Sequence, residues 1–157
     1  MKNASFIIPN YNAHNTIGKV IESIKKQKYK GKIEILIIDD KSVDDSLKII
    51  SKYKGIRLIK NEKNIGLASS LNKAIKLAKY ELICIIWCDC ILENNNWLNG
   101  MIKAYDSNGD GTYDLIISDE SVLKMPEIEI IPGVPNSGKP QKQETLLCAL
   151  WHHAFCR

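Results

Sequence analysis

Ile33-Glu34-Ile35-Leu36-Ile37-Ile38-Asp39-Asp40-Lys41-Ser42 decides the fold. Five of its first six residues are Ile or Leu, and two carboxylates follow directly. A short apolar run rich in β-branched residues reads as a strand covered on both faces, the signature of a parallel sheet. Ionised carboxylates inside such a sheet would be costly. Asp39 and Asp40 are therefore placed at the carboxyl end of the strand, where open α/β sheets bind ligands. On these residues alone, an acidic pair that only marks a turn and caps the next helix fits equally well.

Working outward, the same grammar repeats. Ala4–Pro9 is a first strand, followed by the polar loop Asn10-Tyr11-Asn12-Ala13-His14-Asn15. A helix begins near Thr16, with Asn15 as N-cap, and carries Ile17, Val20, Ile21 and Ile24 on one face. After the central strand, a helix starts near Asp44, with Leu47 and Ile50 toward the sheet. Ile56–Ile59 is a third strand, and the polar loop 61–66 leads into a helix with Leu71, Ala74, Ile75 and Ala78 on one face. Leu82–Trp87 is a fourth buried strand. The alternation predicts an α/β domain with a mostly parallel, Rossmann-like sheet and right-handed crossovers. A fourth helix presents Trp97, Leu98, Met101, Ile102 and Tyr105. Tyr113–Ser118 reads as a fifth strand and Glu127–Ile131 as an edge strand. Thr145–Cys156 fits either a strand or a helix.

The length, 157 residues, suits one domain with a real core. The net charge of +4 is mild, and its lysines sit on helix faces, which argues for a solvated surface and against nucleic-acid binding. No apolar run approaches the roughly 18 residues of a membrane span, and no signal peptide is visible, so a cytoplasmic, soluble chain is expected. Five scattered cysteines give no disulfide framework, and free thiols are the default. No glycine lies between Ile7 and Ile17, so the first turn lacks the Gly-x-Gly-x-x-Gly fingerprint. A Gly-Lys-Ser/Thr phosphate loop is also missing. The segment from Asp106 begins like a calcium loop but has Ile117 at the twelfth position, where a Glu is needed, so a polar turn is the plainer reading. Cys88 and Cys90 have only one residue between them, which is not zinc-ligand spacing.

Four segments resemble, in order and spacing, the inverting GT-A-fold nucleotide-diphosphosugar glycosyltransferases of family 2. They are Phe6-Ile7-Ile8-Pro9-Asn10-Tyr11-Asn12; Ile37 to Ser46; Asn64-Ile65-Gly66-Leu67-Ala68 with Leu71-Asn72-Lys73-Ala74; and the strand and loop ending at Trp97-Leu98. The resemblance covers residues 4 to about 105. It implies a nucleotide pocket lined by Pro9, Asn10, Tyr11 and Asn12, with Tyr11 against the base. It implies that Asp40 or Asp39 accepts a hydrogen bond from the base edge, that Gly66 allows close approach, and that Asn72 and Asp89 belong to the same site. Leu71 stands where the family usually has Arg. The family's carboxylate motif for Mn²⁺ or Mg²⁺, counted back from Trp97, falls on Cys88-Asp89-Cys90, so Asp89 and Cys90 are the expected metal positions, with Glu93 as a further oxygen. Hard ions want oxygen ligands, so the cysteines imply a weak site.

The domain reading is one GT-A-like unit over 1–157, with a nucleotide-sugar-binding part at 1–105 and the start of an acceptor part at 106–157. The resemblance places the catalytic base beyond Arg157, so a truncated chain is expected. The implied partners are a nucleotide-diphosphosugar and an acceptor that is a glycan, lipid or protein. A sugar-nucleotide-binding module that lost its metal acids is the alternative.

Overall fold

The computed structural model describes residues 2–80, 82–106 and 146–150, with side chains described through Ile102. The order of elements is β1 (Ala4–Asn10), α1 (Ile17–Lys25), β2 (Ile33–Asp39), α2 (Ser46–Ile50), β3 (Ile56–Lys60), α3 (Leu67–Leu77), β4 (Leu82–Ile86), α4 (Trp97–Asp106) and β5 (Leu146–Leu150). The strands form one sheet in the order β3-β2-β1-β4-β5, and every described pairing is parallel. β2 is therefore interior, and Ile35 through Ile38 are nearly inaccessible, as the unbroken apolar run predicts.

Strand alternation divides the core in two. Phe6, Ile8, Ile35, Ile37, Cys84 and Ile86 face α1 and α4, where Ile17, Val20, Ile21, Ile24 and Leu98 complete the cluster. Ile7, Leu36, Ile38, Ile83 and Ile85 face α3 and its buried Ala74. Leu71, Ile75 and Ala78 pack partly buried against that second cluster.

Three details differ from the sequence reading. Thr16, not Asn15, is the N-cap of α1; it makes no side-chain cap bond, and the amides of Thr16 and Ile17 donate to the Ala13 carbonyl instead. α2 begins at Ser46, because Asp44 uses its Oδ1 to accept the Ser46 amide (2.9 Å) from just outside the helix. The segment left open between strand and helix is a strand over 146–150 beside β4. The expected strands at 113–118 and 127–131, and the calcium-like turn after Asp106, lie outside the described residues. Among the described residues no helix is long and apolar enough to cross a membrane.

Candidate functional site

All strands run the same way, so their carboxyl ends converge. Register aligns Asn10 with Asp39 and Asp39 with Lys60, and the loops that follow share one end of the sheet. A cleft opens there, lined on the β1 side by Pro9, Asn10 and Tyr11, on the β2 side by Ile38 and Asp40, by Asn64, Gly66, Leu67 and Ser70 around the start of α3, and by Trp87 and Cys88 after β4. Of the residues expected from sequence, Pro9, Asn10, Tyr11, Asp40 and Gly66 meet here.

The two neighbouring carboxylates do different work. Asp39 (1% exposed) accepts Asn10 Nδ2 (2.7 Å), the Ser42 amide (3.0 Å) and the Ser42 hydroxyl (2.5 Å). It is not among the lining residues and ties the loop after β2 to the end of β1. Asp40 does line the cleft. Its Oδ1 accepts Asn61 Nδ2 and the Ile65 amide (both 2.9 Å), and its Oδ2 accepts the Gly66 amide (2.8 Å). Burial pushes the Asp40 carboxyl upward, but the Ile65 and Gly66 amides, Asn61 and Ser70 hold it below the ordinary carboxylate value. Lys73 Nζ closes this network on Asn61 Oδ1 (2.8 Å).

Asn10 carries an unmet hydrogen bond. Asp39 can only accept, so the amide must turn its nitrogen to Asp39, which fixes its oxygen on the other side. That Oδ1 is the one buried side-chain oxygen without a partner among the described residues.

The mouth is knitted from two loops. Asn12 donates its amide to Ser42 Oγ (3.0 Å) and accepts the Val43 amide on Oδ1 (2.9 Å), so it buttresses the mouth and does not line the cleft. Asn12 and Lys41 both take left-handed backbone (φ 51° and 67°), a conformation that costs non-glycine residues energy and is often kept at functional loops. His14 donates its amide to Asp44 and pairs with it through Nδ1 (2.9 Å). Burial raises the Asp44 carboxyl, but bonds from Ser46 and His14 hold it well below the usual range. At the far end of the sheet Glu34 is also held low: burial opposes this, while Ser5, the Lys79 amide and Arg57 bring it about.

These three depressed carboxylates give an expected pH response. The unfolded chain binds protons more readily than the folded one, so their stabilisation is full above roughly pH 4 and is lost as pH falls through the depressed folded values. Urea midpoints should be level from pH 7 to about pH 5 and fall steeply below about pH 4. A midpoint that rises on acidification would contradict this.

Asn72 is exposed on α3 and does not line the cleft. It lies two residues beyond the cleft-lining Ser70, about 200° around the helix. The turn after β4 closes with Cys90 N donating to Trp87 O (3.0 Å), and the following chain is clamped by Ser23 Oγ on the Leu92 amide (3.1 Å) and Gln27 Oε1 on the Leu98 amide (3.1 Å). This turn leaves Asp89 exposed, sets Cys88 in the cleft wall and sends Cys90 into the core on the α1 face, 8% exposed. Burial and the Asp89 charge push both thiols up. Both are free thiols.

The two positions expected to hold Mn²⁺ or Mg²⁺ thus lie apart in outlook, Asp89 exposed and Cys90 in the core. One expected ligand, Cys90, is buried in the core cluster on the α1 face, and Glu93 is exposed. Among the described residues no group of three or more His, Cys, Asp or Glu could hold an ion. A hard cation is offered one carboxylate and a thiol, a poor match.

Trp87, Leu67 and Ser70 are cleft residues that sequence reasoning gave no role, and Cys88 entered it only as part of the metal motif. The strand-end rule that placed Asp39 and Asp40 would have found Trp87 and Cys88 if applied to β4.

A parallel sheet with this order, and a cleft across the ends of β1, β2 and β4, define a GT-A-type domain. The chain belongs to glycosyl transferase family 2, whose sequence model matches residues 5–153. It is 43% identical over 91 residues to an Escherichia coli UDP-Glc:alpha-D-GlcNAc-diphosphoundecaprenol beta-1,3-glucosyltransferase, WfaP, covering 57% of this chain and 36% of the relative. The S. aureus TarS 1–349 structure in complex with UDP superposes with a TM-score of 0.64 at 29% identity, over 87% of this chain and 39% of that one. The Pyrobaculum calidifontis mannosyltransferase PcManGT, solved with GDP-Man and Mn²⁺, shares the fold (TM-score 0.61, 23% identity, 64% of this chain and 31% of that one). The chain thus spans well under half the length of these proteins.

Proposed function

We propose that residues 1–105 form the donor half of a glycosyltransferase and that the cleft takes a nucleotide-diphosphosugar, with UDP as the nucleotide. The carrying observation is the convergence of Asn10, Tyr11, Asp40 and Gly66 at one cleft. Tyr11 is half exposed and offers an aromatic face to a base. The remaining lone pair of Asp40 suits an N–H on the base edge, such as a uracil imide, whereas the cytosine ring nitrogen accepts and only its exocyclic amine donates. TarS bound to UDP, and WfaP named for UDP-Glc, support the same nucleotide.

In this reading the reaction is a single in-line displacement with inversion. A base takes the proton of an acceptor hydroxyl, the oxygen attacks the anomeric carbon, and the diphosphate leaves with the bonding pair. The acceptor surface belongs to the part that begins at residue 106, and the acceptor is a glycan, lipid or protein. A Mn²⁺ or Mg²⁺ ion arriving with the diphosphate would find Asp89 as its protein oxygen. In this reading the domain works in the cytoplasm.

Calorimetry with UDP, CDP and ADP tests the donor reading. UDP should bind in the micromolar range and at least tenfold more tightly than CDP. Equal binding of all three would remove the base-edge assignment, and no binding would remove the donor site.

A further inference from the structure

The disagreement between the turn after β4 and a metal site leads further, and rests on the donor reading above. Three positions in that turn could carry oxygen ligands, and the backbone separates their fates. Cys90 closes the turn with its amide on Trp87 and buries its side chain in the core beside α1. A carboxylate there would have to be charged inside an apolar cluster. Asp89 is at the exposed tip. Of the three, Cys88 lines the cleft, and it also packs, partly buried, against the α1-side cluster. Of the other carboxylates at this end of the sheet, Asp39 is engaged by Asn10 and Ser42, Asp40 by Asn61, Ile65 and Gly66, and Asp44 by His14 and Ser46, while Asp45, Glu62 and Glu93 are exposed and do not line the cleft. A Mg²⁺ or Mn²⁺ shared with a diphosphate ordinarily leans on one or two carboxylates, and this cleft wall offers sulfur at the position facing inward.

We propose that nucleotide-diphosphate binding to this chain is independent of divalent cations, and that Cys88 is the position at which a single substitution creates a cation site. The nucleotide is held by contacts at the β1, β2 and α3 side of the cleft, which need no ion. Cys88→Asp would place a second carboxylate next to Asp89 and toward the diphosphate. Cys90→Asp would place one in the core, where it contributes no ligand and lowers stability.

The test is calorimetric titration of UDP into the full chain in EDTA and in Mn²⁺, paired with electron paramagnetic resonance of Mn²⁺ to count bound ion with and without UDP. The wild type should give UDP dissociation constants within about threefold in the two media and no more protein-dependent Mn²⁺ binding than UDP itself accounts for. Cys88→Asp should bind UDP at least tenfold more tightly in Mn²⁺ than in EDTA, with a matching new resonance signal. Wild-type affinity that rises tenfold or more with Mn²⁺ overturns the proposal, and this arm needs no variant to fold. A Mn²⁺ response in Cys90→Asp but not in Cys88→Asp overturns the assignment of position. UDP that binds in neither medium overturns the donor reading and the proposal together, whereas UDP that binds only with Mn²⁺ overturns this proposal alone.

Discussion

Asp40→Ala is expected to destabilise the fold by roughly 2–4 kcal/mol, since a buried carboxylate takes bonds worth about 1.5–3 kcal/mol each and its removal leaves donors unpaired. The donors are specific: the Ile65 amide loses its partner, Gly66 keeps only the longer bond to Asn64 Oδ1 (3.1 Å), and Asn61 keeps Ser70. The loop from Asn61 to Gly66 would then be held to β2 only at its start, where the Asn61 amide donates to the Asp39 carbonyl (2.8 Å), and it supplies Asn64 and Gly66 to the cleft. UDP affinity should fall by at least tenfold. Asp40→Asn is an informative companion. It keeps the volume but faces two backbone donors with an NH₂ group at one of its two positions, so it should recover little of the loss. Urea unfolding and calorimetry measure the two effects. Stability of Asp40→Ala within 0.5 kcal/mol of wild type, an ordinary surface-substitution effect, would show that this network does not hold the loop.

The division of labour between Asp39 and Asp40 marks the limit of what the sequence could say. Period-2 alternation already sends them to opposite faces, with Asp39 following Ile35 and Ile37 and Asp40 following Leu36 and Ile38. Which face carries the start of α3 depends on the handedness and order of the crossovers, and the chain does not spell that out locally. β1, β2 and β4 were legible because each is an apolar run that suits a sheet interior, the place all three take. The apolar stripes of α1 and α3 were legible for the same kind of reason.

Turns were the weak point. Counting back from Trp97 reaches Asp89 and Cys90 but does not tell how the turn aims each of them. In a tight turn from Trp87 to Cys90, successive side chains point in unrelated directions, and the last re-enters the core. Likewise Asn72 belongs to a motif on paper but to the solvent face of α3 in space. Asn10 shows the reverse: its place in the first loop was legible, but its unmet acceptor depends on a contact with Asp39, 29 residues on.

Gly66→Ala is expected to damage stability and binding by separable routes. Gly66 stands at φ 83° and ψ 160°, a region that side-chain-bearing residues hold only at a cost of about 1–3 kcal/mol. A Cβ built there meets nothing within 4 Å, so space in the protein is not the obstacle; the methyl would stand in the open volume beside a residue that lines the cleft. A chain that escaped the strain by moving φ to negative values would re-aim everything after Gly66, including Leu67 and the first turn of α3. Either way the nucleotide loses a close approach to backbone. Gly55 provides the matched control: its φ is 79°, a Cβ there also meets nothing within 4 Å, and it precedes β3 away from the cleft lining. Gly55→Ala should cost about 1–2 kcal/mol of stability from the left-handed backbone alone and leave UDP affinity within about twofold. Gly66→Ala should cost a similar amount and weaken UDP by at least tenfold. If the two variants lost stability alike and bound UDP alike, Gly66 would be a turn glycine like Gly55, and the α3 side of the cleft would not be where the nucleotide approaches the backbone.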